Sequence, residues 1–431
     1  MCPHAPDAYT PINSLSRFRK RFSSRWPLDR LGRPFWVFFV AAFFLDFGFD
    51  LYFFLYNLFL VSLHYDERAI GFISSAVTIG NVVGSIPVSI LVPRFGLQKL
   101  LLFCFIAAPI IAICRTATLW MPAQIVLAFL MGIALSAWPV CFAPTVAKIT
   151  TDETRVFAFS ITFATGIGTG TLAGLAGGYL PEMFHRANGL GSQANGMRFV
   201  LIAAAVIAMI GACPVSKLKI SSAAAPSNRK TFVFHPFLLR FLPAFAVWSI
   251  VTGSFTPFAP VFFHKQLGIS LQHVGVIFSA SELVQFCTVL LVPLLYRRIG
   301  VIAGIFTAQL LTGVAVLGLG RAHSTGYAVA WYLAFTGAQF TAGPGFYGML
   351  MSRMPESERS SASAIQNIAG ALSGAGASTL TGMLIVRLGY GPVFNLNAAL
   401  TICAVLLVLR CLSARNDPQQ NASPILASHE C

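Results

Sequence analysis

The chain has 431 residues, 56% of them hydrophobic and only 10% charged, with a net charge of +15. Soluble domains carry roughly 45 to 50% apolar and about 25% charged residues, so this composition excludes a water-soluble globular protein and points to a bilayer. The positive charge does not point to nucleic acid, because the basic residues have no soluble domain to present them.

In chain order, residues 1–34 hold no apolar run and form a basic tail. Its Arg17, Arg19, Lys20, Arg21 and Arg25 are expected to be solvated or to lie on anionic lipid headgroups. The run that begins at Phe35 is too long for a signal-peptide h-region, so no cleavable signal is expected. Apolar runs of about 20 residues, the length that crosses a hydrocarbon core, predict helices over 35–63, 68–92, 98–115, 119–147, 155–181 and 198–214. A second set is predicted over 238–264, 271–296, 300–320, 325–352, 359–386 and 391–412. The stretch 215–237, with its Ser-Ser-Ala-Ala-Ala-Pro-Ser-Asn sequence, reads as a flexible cytoplasmic linker. The expected organisation is an all-α membrane protein of twelve spans, with six-helix bundles at 35–214 and 238–412 and a cytoplasmic tail at 413–431.

The halves repeat each other. At a shift of 204 residues Gly71 meets Gly275, Gly96 meets Gly300, Arg94 meets Arg298 and Arg155 meets Arg359. Gly166, Gly170 and Gly178 meet Gly370, Gly374 and Gly382 in the same way. A same-polarity duplication of apolar halves is the pattern of transporters built around a central site. With the N-terminus inside, 22 Lys and Arg fall on the inside segments and 7 on the outside, which places both termini and the linker in the cytoplasm. A bacterial inner membrane is the expected location. The nine cysteines show no CxxC or Cys/His spacing, so neither a disulfide framework nor a metal site is suggested. No nucleophile with its base, phosphate loop or cofactor motif appears, so an enzyme is not expected.

Between the second and third predicted helices, Ser89 to Lys99 contains Arg94 and Gly96, and Pro293 to Val301 contains Arg298 and Gly300. These stretches and the duplicated architecture resemble the major facilitator superfamily from about Phe35 to Leu412. The family's inter-helix loop, G-x-x-x-D-R-x-G-R-R, is degenerate here: its Asp is replaced by Pro93 in the first half and Arg297 in the second. The resemblance implies two bundles that rock about a midplane cavity, with Arg94, Gly96, Arg298 and Gly300 in loops that gate it. The loop Asp helps to hold the family's inner gate closed, so that particular lock is not carried over. Gly166, Gly170, Gly174 and Gly178, and Gly370, Gly374 and Gly382, form small-residue stripes on which helices pack closely. Resemblance to relatives with an interrupted seventh helix implies a gate at Pro257 and Pro260.

Three carboxylates lie deep in predicted spans: Asp46 and Asp50 on the first helix and Glu282 on the eighth. At 100° per residue Asp46, Asp50, Phe53 and Asn57 fall within a sector of roughly 60°. With no Lys or Arg assigned to the same depth, such carboxylates must be protonated, share a proton, bind a cation or face water. Asp46, Asp50 and Glu282 are therefore the candidates for proton or cation coupling. Phe53, Asn57, Trp138, Gln285, Gln339 and Asn367 are the candidates for the substrate cavity, and Asn81 and Gln366 are further polar groups at depth. The expected function is secondary active transport of a small cationic, zwitterionic or neutral molecule, coupled to protons, by a monomer in the bilayer. An uncoupled facilitator and a non-transporting sensor on the same fold are the alternatives.

Overall fold

The computed structural model describes residues 31–188, 193–218, 220, 236–322, 324–355 and 358–412. The basic cluster Arg17 to Arg25, most of the linker and the C-terminal tail lie outside the described residues. Among those described, the regular structure is helical. In chain order the long elements are α1 (Arg33–Ser62), α2 (Glu67–Phe95), α3 (Leu97–Ala117), α4 (Met121–Ile149), α5 (Asp152–Asn188) and α6 (Gln193–Ser216). They are followed by α7 (Pro236–Gly253), α8 (Leu271–Ile299), α9 (Val301–Gly320), α10 (Thr325–Arg353), α11 (Arg359–Leu388) and α12 (Tyr390–Leu412). Eleven of these are long and apolar enough to cross a membrane. The exception is α10, whose 29 residues include Gln339, Thr341, Gly343, Pro344 and Gly345.

Local chemistry sets the boundaries, and it repeats between the halves. The Asp66 side chain caps α2 by accepting from the Ala69 N–H at 2.9 Å, and Ser270 caps α8. Both satisfy donors that a helix start leaves without partners. The two helices end at Gly96 (φ 81°) and Gly300 (φ 83°). A residue with a Cβ is strained in that region, so the glycines turn the chain directly into α3 and α9.

Prolines break the pattern where the sequence predicts continuous helices. Within α4 the helix is interrupted at Ser136, where Pro139 has no N–H to offer the Leu135 carbonyl four residues back. The predicted seventh helix, 238–264, instead ends at Gly253 and continues as a short turn, Ala259–Val261, and a π-helical turn, Phe262–Gln266. Pro257 has no N–H for the carbonyl of Gly253. That carbonyl is satisfied from another helix, because Ser378 Oγ on α11 donates to it at 2.8 Å. The missing donor is thus replaced by a tertiary contact, as it must be where water is excluded.

Two helix pairs join the halves: α2 packs along α11, and α5 along α8. Both contacts are close because they run over small residues. A Cβ on Gly174 would come within 3.0 Å of the Gly275 carbonyl, and one on Gly178 within 3.1 Å of the Gln272 carbonyl. Gly71 meets the backbone of Ser378, and Gly382 meets that of Glu67. On the second stripe, Gly370 lies against Phe245 and Ser249, and Gly374 against Gly253. Where lipid is as apolar as leucine, such van der Waals contact is what holds helices together.

Candidate functional site

A cavity of about 330 Å³ lies between the halves. From the first half it is lined by Asp50, Phe53, Phe54, Tyr56 and Asn57 of α1, Thr78 of α2, Arg115 of α3, and Gly166 and Gly170 of α5. The second half supplies Pro257, Pro260, Phe278 and Glu282. The volume is at the small end of the range for small-molecule sites, roughly 300 to 1,000 Å³. Phe53 remains 42% exposed on its wall, so side chains do not fill the space.

Asp50 accepts a hydrogen bond from Thr169 Oγ1 of α5 at 2.9 Å. Thr169 was missed by sequence reading; it lies on α5 next to Gly170, and α5 packs against α1 as well as against α8. Glu282 rests on Gly170, where a Cβ would come within 3.2 Å of its carboxyl carbon. The absence of a side chain at Gly170 therefore makes room for Glu282. Asp46 stands one turn away beside Gly166 and is not among the lining residues. The polar stripe of α1 thus faces α5 and the cavity together, with Asp50, Phe53 and Asn57 lining the cavity and Asp46 one turn further along. Asn57 Nδ2 donates to the Pro257 carbonyl at 3.0 Å, so one cavity residue also bridges the halves at the break in α7.

The largest departure from the sequence reading is Arg115. Absent from the cavity residues expected from sequence, it stands in the last turn of α3, at the end of the predicted span 98–115, and is 1% exposed on the cavity wall. Its guanidinium carbon lies 4.2 Å from the centre of the Tyr56 ring and 6.0 Å from that of Tyr52. Nη1 reaches Met131 Sδ at 3.0 Å, while Nε is buried without a partner. Tyr56 is fixed by its hydroxyl on Gln124 Oε1, and Gln124 Nε2 donates to the Arg115 carbonyl at 2.7 Å. A signal was present in the sequence: Leu101, Phe105, Ala108 and Ala112 form the buried stripe of α3, and Arg115 continues it.

Other expected cavity residues are placed elsewhere. Trp138 is stacked with Phe38 at 5.8 Å and packed by Phe105 and Phe142, within the first half's aromatic core. The large ring follows the apolar neighbours of α1 and α3, because burying it among them yields more than exposing it to a polar cavity. Gln285 is 9% exposed and reaches Glu282 Oε1 at 3.5 Å, behind the wall. Asn367 is exposed and accepts from Tyr347 Oη at 2.9 Å. Gln339 is half-buried on α10 and does not line the cavity. Arg94 and Arg298 are exposed beside their turn glycines.

Towards the start of α2 the halves are tied by a polar cluster. Lys265 Nζ donates to Glu67 at 2.8 and 3.0 Å, and Tyr390 Oη donates to the same carboxylate at 3.1 Å. Deeper on the same seam, Ser75 Oγ meets Ala375 O at 2.5 Å and Thr379 Oγ1 at 2.7 Å.

Comparison with known proteins agrees with this architecture. No curated protein matches the sequence. Among solved structures, the chain resembles the nucleoside transporter NupG with a TM-score of 0.72 at 13% identity, covering 89% of this chain and 100% of that one. It resembles a D-xylose-proton symporter at 0.73 and 15% identity, covering 89% and 98%. A bacterial homologue of the human lysosomal transporter Spinster, in an inward-facing and occupied conformation, gives 0.75 at 12% identity, covering 93% and 100%. At these identities the likeness speaks for the fold alone. A family model, that of the Major Facilitator Superfamily, matches residues 38–378, and with the duplicated helical halves around a central cavity the chain belongs to that superfamily.

Proposed function

We propose that this membrane transporter is a secondary active carrier that moves a small molecule by alternating access, coupled to protons through Asp50 and Glu282 with Asp46 close behind. The observation that carries the reading is that one carboxylate from each half lines the same cavity, Asp50 on α1 and Glu282 on α8. An ionised carboxylate at membrane depth costs several kcal/mol unless it is hydrated, paired or protonated. Rocking of the halves alters the hydration of both groups, which gives each access state its own proton occupancy. The orientation we propose has both termini in the cytoplasm, on the Lys and Arg count. The Glu67–Lys265–Tyr390 cluster then faces outward and the Gly96 and Gly300 turns face inward. A monomer in a bacterial inner membrane is the form we assign.

The test is proton uptake or release by purified protein across a substrate library, comparing wild type with Asp46→Asn, Asp50→Asn and Glu282→Gln. Coupling predicts a ligand that displaces protons from wild type and not from the Asp50 or Glu282 variant. Binding without proton exchange, alike in all variants, makes the protein an uncoupled facilitator.

A further inference from the structure

We propose that Arg115 is the anion-binding pole of the cavity and that the substrate is a small zwitterion, with its cationic group at Asp50 and Glu282 and its carboxylate at Arg115. The inference rests on the transport reading above and narrows its substrate class.

The argument begins with a buried charge. A guanidinium that is 1% exposed is costly to hold in a membrane protein without a counter-charge. Its described partners are the faces of Tyr52 and Tyr56, the Tyr56 side chain through a hydrogen bond, and the sulfur of Met131, none of which is a carboxylate. Cation–π contacts return roughly 0.5 to 2 kcal/mol each, which offsets part of the cost and supplies no counter-charge. Nε is buried and unpaired, and the residue lies on the cavity wall. A planar guanidinium held by two aromatic rings in the wall of a cavity, with one donor unpaired, matches a carboxylate in charge and planarity.

The opposite pole is formed by Asp50 and Glu282 on the same cavity. Arg115 sits over Tyr56, which is about 9 Å of helix rise beyond Asp50 on α1 and turned about 120° from it, and Arg115, Asp50 and Glu282 all line one cavity of about 330 Å³. A ligand there must fit that volume and reach both poles by charge-assisted hydrogen bonds of about 2.8 Å. That is the scale of an amino acid. The wall between the poles is aromatic, with Phe53, Phe54 and Phe278, and suits an apolar side chain. A purely cationic ligand would leave Arg115 uncompensated, and a purely anionic one would meet the two carboxylates.

The experiment uses the full-length protein and matched triads: an L-amino acid, its amide, which lacks the negative charge, and its deaminated acid, which lacks the positive charge. Leucine, phenylalanine and methionine supply the three skeletons, and binding is read by calorimetry on wild type, Arg115→Lys and Arg115→Gln. The expected result is that at least one amino acid binds wild type more tightly than both of its partners. Arg115→Gln should weaken that ligand by about tenfold or more, the scale of one lost charge pair. The same variant should change amide binding by less than about threefold, with Arg115→Lys intermediate because it keeps the charge and loses the fork. An amide or deaminated acid preferred in every triad, or no amino acid bound at all, overturns the inference. The wild-type ranking decides this even if a variant fails to fold. Uptake of other library compounds into proteoliposomes separates this failure from that of the transport reading, which falls only if nothing is carried.

Discussion

Gly300 shows how much a single residue contributes when its backbone, rather than its surroundings, is special. It closes α8 at φ 83° with nothing within 4 Å of the place a Cβ would occupy, so any cost of a side chain there is conformational. Gly300→Ala is expected to destabilise the protein by about 1 to 2 kcal/mol, read as a lowered unfolding temperature in detergent. Gly326 has equally open surroundings without a positive φ, and Gly326→Ala should be neutral or slightly stabilising. The opposite situation holds at Arg115, where surroundings are everything. The residue type alone suggests a loop cation, whereas its position on the buried face of α3 makes it part of the cavity.

At the scale of the element, the seam between α5 and α8 determines whether Asp50 and Glu282 share one cavity. Gly170 makes room for the Glu282 carboxyl, and Gly174 lets Ser279 Oγ donate to the Thr171 carbonyl at 2.7 Å. Gly174→Val places branched carbon against the Gly275 backbone, which cannot yield as a flexible side chain would. Transport should fall to less than about a tenth, since the lost approach is worth more than 1.4 kcal/mol. Expression and a monodisperse profile should persist, because the α2–α11 seam and the buried core shared by the two halves are untouched by the change. Wild-type transport by this variant would show that the close seam is not part of the cycle. The break in α7 follows the same logic, with Ser378 taking over a carbonyl that Pro257 leaves open.

For the whole molecule, the question is what holds the halves together at the Glu67 end. The Glu67 side chain is 5% exposed and that of Lys265 is 46% exposed, so the two partners are not equivalent. Lys265→Met leaves a buried carboxylate with Tyr390 as its remaining described donor, which should cost the closed arrangement about 1 to 3 kcal/mol. Glu67→Gln removes the charge but keeps hydrogen bonding, and Lys265 is left partly in water, so its effect should be under about 1 kcal/mol. A Ser75→Cys, Thr379→Cys pair reports this, since the native hydroxyls are 2.7 Å apart. Oxidation should cross-link the pair and block transport reversibly, and the cross-linking rate should fall further with Lys265→Met than with Glu67→Gln. Equal rates would mean that the cluster does not bias the equilibrium between states.

Where the sequence predicts twelve continuous spans, eleven of the described helices are long and apolar enough to cross, and the fourth and seventh are interrupted. The membrane class, the helical character and the duplication are what the sequence by itself determined. These depend on local length and composition, which neighbours do not alter. It also marked Asp50 and Glu282, because charge at membrane depth is anomalous whatever surrounds it. Only the tertiary structure decided which faces meet. Helical periodicity places Asp46 and Asp50 on one side of α1, and packing decides what meets them: Thr169 and the cavity for Asp50, Gly166 one turn away for Asp46. Trp138 went to the aromatic core and Arg115 to the cavity for the same reason: a helix carries its pattern of faces in its own residues, whereas the partner for each face is set by packing among all the helices at once.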